Sequence, residues 1–200
     1  MSDVVPLTGE PLALDLVNTR PRLADGPADL LATPDALAAW LALQSDRLAG
    51  SGLQDAHAPA AGTWARLTAG DVAAVHAVRE HVAAAIDHVR QGGRPPAAAL
   101  EGLNAAQRAA PAIRELTWDG TSVTAALRRT GPLGGRLAAW LAEAAADLLA
   151  DPSAGRVREC EADDCVMLFL PAHPRRRWCS AARCGNRARV ARYYQRHKSP

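Results

Sequence analysis

The cysteines are the residues of this sequence whose type and spacing most clearly suggest chemistry. All four lie in one short window of the 200-residue chain, at Cys160, Cys165, Cys179 and Cys184. They form two pairs of the type C-x4-C, separated by thirteen residues. Thiolates bind Zn²⁺ tightly, and four of them complete a closed tetrahedral shell, which is typical of structural sites. The spacing therefore predicts one structural Zn²⁺ ion, because in a reducing cytoplasm close cysteine pairs favour metal over disulfides.

Other interpretations of this window stay open. Four free thiols are one of them. An iron–sulfur cluster also uses four cysteines, but the spacing lacks the tight C-x-x-C-x-x-C run of ferredoxins. His173 could replace one cysteine as a ligand, although a loop position beside Pro174 suits it better.

Charge is distributed unevenly along the chain, although the net formal charge is only +2. Residues 1–155 carry 12 arginines against 17 acidic residues, whereas residues 156–200 carry 11 basic against 4 acidic residues. No acidic residue follows Asp164. Such a basic segment is either a solvated end of the chain or the contact surface for a polyanion, and its overlap with the cysteines favours nucleic acid.

The arginines around the second cysteine pair are the predicted nucleic-acid contacts. A helix is predicted over residues 187–196 with Asn186 as its cap, and spacings of three and four place several arginines on one stripe. Arginine can contact phosphates and can donate bidentate hydrogen bonds to guanine. The predicted set is Arg175, Arg176, Arg177, Arg187, Arg189, Arg192 and Arg196.

The other face of this helix is expected to hold the small module together. Val190 and Tyr194 are predicted to pack against Phe169 and Trp178. Gly185 is expected to permit a tight turn around the metal.

The elements that must position these residues follow from periodicity and turn signals. We predict an α+β fold with a mainly helical domain over residues 1–150, containing one β-hairpin, and a small four-cysteine module over residues 156–200. The residues 151–155, DPSAG, break the last long helix and mark the boundary. Helices are predicted over residues 33–49, 71–89, 96–110 and 133–149. Strands are predicted over residues 113–118 and 121–127, joined at Asp119-Gly120 by a type I′ turn.

Membrane insertion is not expected from this sequence. The longest runs without a charged residue, such as residues 36–45, contain ten residues, and a membrane-spanning helix needs about 20. The first residues include acidic side chains where a secretory signal has basic ones. We therefore expect a cytoplasmic protein without a membrane partner.

Several runs of residues resemble one known family. The run RRWCS at 176–180 followed by CGNRAR at 184–189, together with the upstream cysteine pair, is similar to the CGNR zinc-finger family. The run LALDLVNT at 12–19 and the predicted helix from residue 33 resemble the ABATE domain that precedes the finger in that family. The stretch LPAHP at 170–174 departs from the polar run usual there. The resemblance implies a stress-induced transcription regulator whose finger contacts DNA.

Two polar residues in the first apolar segment also invite a functional interpretation. Asp15 and Asn18 must find hydrogen bonds when residues 12–17 pack into a core. They either cap a helix end or line a pocket for an unknown small-molecule effector.

Three classes of function follow. The first is a DNA-binding transcription regulator whose larger domain senses a ligand or forms a homodimer, because one small finger buries too little surface for tight specific binding. Helices containing Trp40 or Trp140 could supply the apolar dimer surface. The second is an RNA-binding or ribosome-associated protein. The third is an enzyme with a structural zinc module, for which the sequence holds no HExxH, GxSxG, GxGxxG or phosphate-loop motif.

Overall fold

The computed structural model describes residues 8–23, 26–53 and 64–197. It confirms the predicted fold class: a mainly helical N-terminal region with a β-hairpin, and a small C-terminal module that contains the four cysteines. We call residues 156–197 the cysteine module. None of the helices in the described ranges combines the length and the apolar character that a membrane span requires.

The N-terminal region contains six helices among the elements with assigned bounds. These are α1 (Leu12–Val17), α2 (Pro34–Leu43), α3 (Ser45–Leu48), α4 (Ala69–Arg90), α5 (Ala97–Ala109) and α6 (Leu133–Ala150). Two antiparallel pairs of strands accompany them: β1 (Arg22–Leu23) with β2 (Gly26–Pro27), and β3 (Ile113–Trp118) with β4 (Val123–Arg128).

The cysteine module follows a 3-10 turn at Ala154–Arg156. Its short strands β5 (Arg158–Glu159) and β6 (Leu168–Phe169) pair antiparallel. A π-helical turn at Ala181–Gly185 then leads into the last helix, α7 (Asn186–His197).

The core of the N-terminal region lies between α4, α5 and α6, with α1 packed against α6. The spacing of valines and leucines on the long helices dictates this arrangement, because it gives each helix one apolar face. Trp40 and Trp140 are both buried in this core. The two tryptophans themselves therefore offer no exposed surface, and a dimer through the helices that contain them stays a prediction.

The starts of two helices show how far local signals determine structure. The Thr33 hydroxyl accepts a hydrogen bond from the Ala36 amide and caps α2, as its sequence predicts. The first turn of α4 is capped by Thr68, whose hydroxyl and backbone form a capping box with Asp71, so the helix starts at Ala69, two residues before the predicted start at residue 71. The helix predicted over 33–49 breaks at Gln44, and the break turns the following residues back toward α1.

The hairpin matches its predicted strands but not its predicted turn. Trp118 pairs with Val123, so four residues form the loop and the two-residue type I′ turn is wrong. The Asp119 carboxylate accepts hydrogen bonds from the Thr121 and Ser122 amides, which lowers the pKa of Asp119 and holds the wider loop. Of the loop residues, only Gly120 has a positive φ, at 103°.

Strand β6 joins the N-terminal region to the cysteine module. Successive strand residues point to opposite sides. Leu168 belongs to the large helical core, whereas Phe169 is fully buried among the cysteines. Val157, at the start of the module, also belongs to the large core. The module is therefore packed onto the helices and does not hang from a linker.

Candidate metal centre and nucleic-acid interface

The cysteine module brings the four predicted thiols together. The sulfur atoms of Cys160, Cys165, Cys179 and Cys184 all lie within 4.8 Å of one another, the one such cluster in the described part of the chain. Three of the Sγ–Sγ distances are 3.8, 3.6 and 3.6 Å. A tetrahedron with Zn–S bonds of about 2.3 Å has S–S edges of about 3.8 Å, so the donors fit one structural zinc ion. His173 is exposed and outside the cluster.

The close packing of the thiols shifts the pKa values of three of them. A hydrogen bond from the Cys179 thiol lowers the pKa of Cys165 to about 5. The same hydrogen bond raises the pKa of Cys179, and burial of this thiol adds a smaller rise. Burial also raises the pKa of Cys184, to about 11. Thiolates this close repel one another, so a divalent cation is what allows all four to ionise together.

Each cysteine pair sits on a loop held by backbone hydrogen bonds. The Cys160 amide donates to the Met167 carbonyl at 2.9 Å, next to the β5–β6 pair. The Cys179 amide donates to the Cys160 sulfur at 3.3 Å, which joins the two halves of the cluster. Both loops are therefore arranged by the fold to present sulfur atoms to one point.

The segment between the second cysteine pair corrects two expectations. Ser180, which the sequence analysis missed, accepts a hydrogen bond from the Arg183 amide and caps the turn that leads into α7. Asn186 instead accepts from the Arg189 side chain at 2.7 Å. Gly185 does not have a positive φ; a Cβ there would lie 3.1 Å from Cδ1 of Trp178. A close approach to Trp178, and not a special turn, explains the glycine.

Arg176 is directed into the protein. Its guanidinium donates to the carbonyl oxygens of Trp178 and Cys179 and to the Glu10 carboxylate, and it lies 4.6 Å above the Phe169 ring. The sequence analysis predicted Arg176 as a nucleic-acid contact, but these hydrogen bonds direct its guanidinium toward other residues of the protein. Its observed role is to join the metal loop to the N-terminal region.

Two other predicted arginines also contact the module. Arg177 pairs with Glu161 at 2.5 Å and lies over the Trp178 ring, while more than half of its side chain stays exposed. Arg187 donates to the Asp163 carbonyl at 3.2 Å and to the Cys184 sulfur at 3.6 Å. Arg175 is exposed on the loop between the cysteine pairs.

Helix α7 presents the predicted stripe of arginines to solvent. Arg189, Arg192 and Arg196 are all exposed and lie at spacings of three and four on one face. Each of them donates a hydrogen bond within α7: Arg189 to the Asn186 side chain, and Arg192 and Arg196 to carbonyls one turn earlier. Each guanidinium therefore keeps donors that can reach a ligand.

The opposite face of α7 does not pack as predicted. No residue of α7 is buried, and Val190 and Tyr194 are 53% and 60% exposed. Phe169 is covered by Arg176, and Trp178 contacts Gly185 and Arg177. The cysteine cluster and these contacts complete the small core, so α7 projects from it.

Comparison with known families decides the identity. The sequence profile of ABATE, described as "Putative stress-induced transcription regulator", matches residues 10–152. The chain belongs to the ABATE family. The profile of the CGNR zinc finger matches residues 156–197, the cysteine module. A search of the curated proteins found no significant match. Membership implies a transcription regulator with DNA as its partner, and it confirms the resemblance drawn from the sequence.

The ABATE region, residues 10–152, holds the module through its first helix. Asn18 Nδ2 donates to the Leu168 carbonyl at 2.8 Å, and its Oδ1 accepts from the Leu168 amide at 2.8 Å. Glu10, which the sequence analysis missed, accepts from the Leu170 amide and from Arg176. Asn18 and Glu10 thus form a clasp between the ABATE region and strand β6.

Asp15 is fully buried within the same region. Its carboxylate accepts hydrogen bonds from the Gly9 and Glu10 amides and from Arg47. Burial raises the pKa of Asp15, and the hydrogen bonds and the Arg47 charge partly offset that rise. Asp15 and Asn18 therefore both have protein partners, and an effector pocket beside them stays a prediction.

Proposed function

We propose that this ABATE protein is a DNA-binding transcription regulator whose cysteine module contacts DNA through α7. The observation that carries the proposal is the exposed stripe of Arg189, Arg192 and Arg196 on a helix with no buried residue. Arginines on one helix face can bind phosphates on either side of a groove, and the same side chains can reach guanine edges.

The metal site is proposed to stabilise the module from which α7 starts. The structural zinc would be held by Cys160, Cys165, Cys179 and Cys184, next to the turn from which α7 starts. When bound, it supplies cross-linking energy that a module with so small a core lacks. Arg175, Arg177 and Arg187 extend the basic surface from the metal loops, whereas Arg176 acts by keeping those loops on the ABATE region.

The ABATE region is proposed to regulate the module. We place the domain boundary in residues 151–155, giving domains 1–150 and 156–200, with the Asn18 and Glu10 clasp as their connection. A groove of about 310 Å³ lies beside this clasp, lined by Val17, Arg79 and Arg90 from the ABATE region and by Glu159 and Leu168 from the module. We propose this groove, which Val17 and Leu168 border next to Asn18, as the place for the small effector predicted at Asp15 and Asn18. An effector bound there would touch both parts.

A homodimer is the second element of the proposal. One small module buries too little surface to reach the affinity of about 10⁻⁸ M or better that is typical of specific sites. Two modules on one two-fold axis would share a site with two half-sites.

One observation supports RNA as the alternative partner. Tyr193 and Tyr194 are 54% and 60% exposed on α7, and exposed aromatic rings stack on unpaired bases. Competition between duplex DNA and single-stranded RNA of equal length for the full, zinc-loaded chain separates the two functions. We expect the duplex to compete more strongly, and preferential binding of the RNA would overturn the DNA proposal.

A further inference from the structure

Among the described residues of the ABATE region, the hairpin β3–β4 carries the three most exposed large apolar side chains. Leu116, Trp118 and Val123 are 67%, 66% and 64% exposed, and Leu127 is 40% exposed. Large apolar side chains are usually removed from water in a folded protein, so four exposed ones on one short hairpin point to a partner that covers them.

The strand register places these residues on one face. Three cross-strand pairs form it: Arg114 with Leu127, Leu116 with Ala125, and Trp118 with Val123. The alternate pairs lie on the other face, where Glu115 pairs with Arg128 at 3.4 Å and the Thr117 and Thr124 hydroxyls hydrogen-bond at 2.8 Å. We call the first set the apolar face; it is uncharged except for Arg114 at its base.

The base of the hairpin is firmly anchored. Arg129, which directly follows β4, is buried and bonds to the Ser51 and Ala110 carbonyls and to Glu143 on α6. Every residue from Ile113 to Leu127 is exposed. The hairpin is therefore an arm held at one end, and a two-stranded sheet alone is only marginally stable in water.

We infer that the apolar faces of two copies of this chain stack face to face across a two-fold axis and form the homodimer. The shape of the face argues for a second copy. On its middle row, the large Leu116 lies beside the small Ala125, and Val123 and Leu127 flank Ala125 along β4. A two-fold rotation places a large residue of one copy over the small residue of the other, so the face complements itself.

Charge argues against a nucleic acid as the occupant. The hairpin and its loop carry two arginines, Arg114 and Arg128, and two acidic residues, Glu115 and Asp119, so their charges cancel. Two stacked faces would bury on the order of 1,000 Å² in total, close to the lower limit for a specific protein interface. Because this interface area is small, we expect a reversible dimer that dissociates on dilution.

The inference names the surface for the dimer that the proposed function includes, and its test does not involve DNA. Light scattering of the full, zinc-loaded chain at tens of micromolar should give about twice the monomer mass of 21.0 kDa. Leu116→Ser and Trp118→Ser should each return the mass to that of a monomer. Ile113→Ser is the matched control, because Ile113 is 56% exposed but lies on the other face. Circular dichroism of each variant reports that the fold is kept.

Cross-linking tests the stacking itself. A mixture of two single variants, Leu116→Cys and Ala125→Cys, should form a disulfide-linked dimer under mild oxidation, whereas Ile113→Cys mixed with Ala125→Cys should not. A monomer at every concentration would overturn the inference and leave the face for a different protein. A dimer that survives both serine substitutions, or that Ile113→Ser disrupts equally, would place the interface elsewhere. DNA binding by a monomeric variant would leave the proposed nucleic-acid contact intact.

Discussion

Asn18 and Leu168 are 150 residues apart, yet the side-chain amide of Asn18 makes both hydrogen bonds that the Leu168 backbone offers, each at 2.8 Å. The amide thus pairs with β6 much as a neighbouring strand would. Both groups are buried, so losing the amide leaves a donor and an acceptor without partners. The contact makes the position of the cysteine module depend on the first helix of the ABATE region.

Replacing Asn18 by alanine should loosen this connection. We expect Asn18→Ala to lower the free energy of unfolding by about 2–4 kcal/mol, because each unsatisfied buried group costs about 1–3 kcal/mol. Hydrogen exchange at the Leu168 amide should accelerate, while the amides in the middle of α4 stay protected. Asn104→Ala, an exposed residue of α5, is the control and should change neither. Unchanged exchange at Leu168 in Asn18→Ala would show that the clasp does not hold the module.

Removal of the metal should unfold the module and lower the stability of the ABATE region. The purified chain should contain one zinc ion, and Cys179→Ser should lose it. Because Val157 and Leu168 belong to the helical core, the loss should also lower the melting temperature of the helices without abolishing their circular dichroism. Elemental analysis and thermal melts measure both effects. A zinc-free preparation with the four thiols protected from alkylation would contradict the metal site.

Gly185 offers a test of the packing beside the metal. A Cβ at Gly185 would lie 3.1 Å from Trp178 Cδ1, whereas one at Gly155 would meet nothing within 4 Å. Gly185→Ala should therefore destabilise the module by about 1 kcal/mol, at the lower end of overpacking costs because Trp178 is only half-buried. Gly155→Ala should cost less. In a Trp178→Ala background the penalty of Gly185→Ala should disappear, and an unchanged penalty there would refute the clash.

The pair of Arg79 and Asp29 should give the ABATE region a distinct acid response. Burial alone would raise the pKa of Asp29, but hydrogen bonds from Arg79 and from the Leu31 amide outweigh it and bring the pKa to about 2. The folded pKa lies below the unfolded value of about 3.9, so the pair stabilises fully above pH 4 and loses that effect as pH falls toward 2.

Asp29→Asn tests this pair. It should lower the free energy of unfolding at pH 7 by about 3 kcal/mol, since it leaves the buried Arg79 without its counter-charge. Urea titrations at several pH values should show the difference from the natural chain shrinking between pH 4 and pH 2. Asp46→Asn, an exposed carboxylate of α3, should show no such trend. A difference that is constant over that pH range would exclude the carboxylate charge as its cause.

The features predicted correctly from the sequence depend on neighbours along the chain. Thr33 and Pro34 start α2 because capping and proline geometry act within one turn. The cysteine spacing predicted the cluster because each pair is set by a loop of four residues. The family motifs predicted the remaining organisation, in which an ABATE domain precedes a zinc finger.

The features that were missed depend on residues far apart. Nothing near Arg176 in the sequence shows that Glu10 and Phe169 will hold it, so its direction into the protein could not be predicted. The same holds for Asn18 and Leu168. The exposure of Val190 and Tyr194 follows from the small size of the module core, which α7 does not help to cover. Glu10 stands two residues before the family motif, and that proximity was its only signal.

The salt dependence of DNA binding tests the role of α7 most directly. The zinc-loaded chain is titrated with labelled duplex DNA over a range of salt concentrations, beside a triple variant, Arg189→Gln, Arg192→Gln and Arg196→Gln. Its control removes the same charge from exposed arginines of the ABATE region, as Arg66→Gln, Arg94→Gln and Arg108→Gln. Each lost phosphate contact reduces the slope of log K against log salt by roughly 0.9, so the α7 variant should lose 2 to 3 in slope and bind at least tenfold more weakly. The control should match the natural chain. An α7 variant with unchanged slope and affinity would contradict the account.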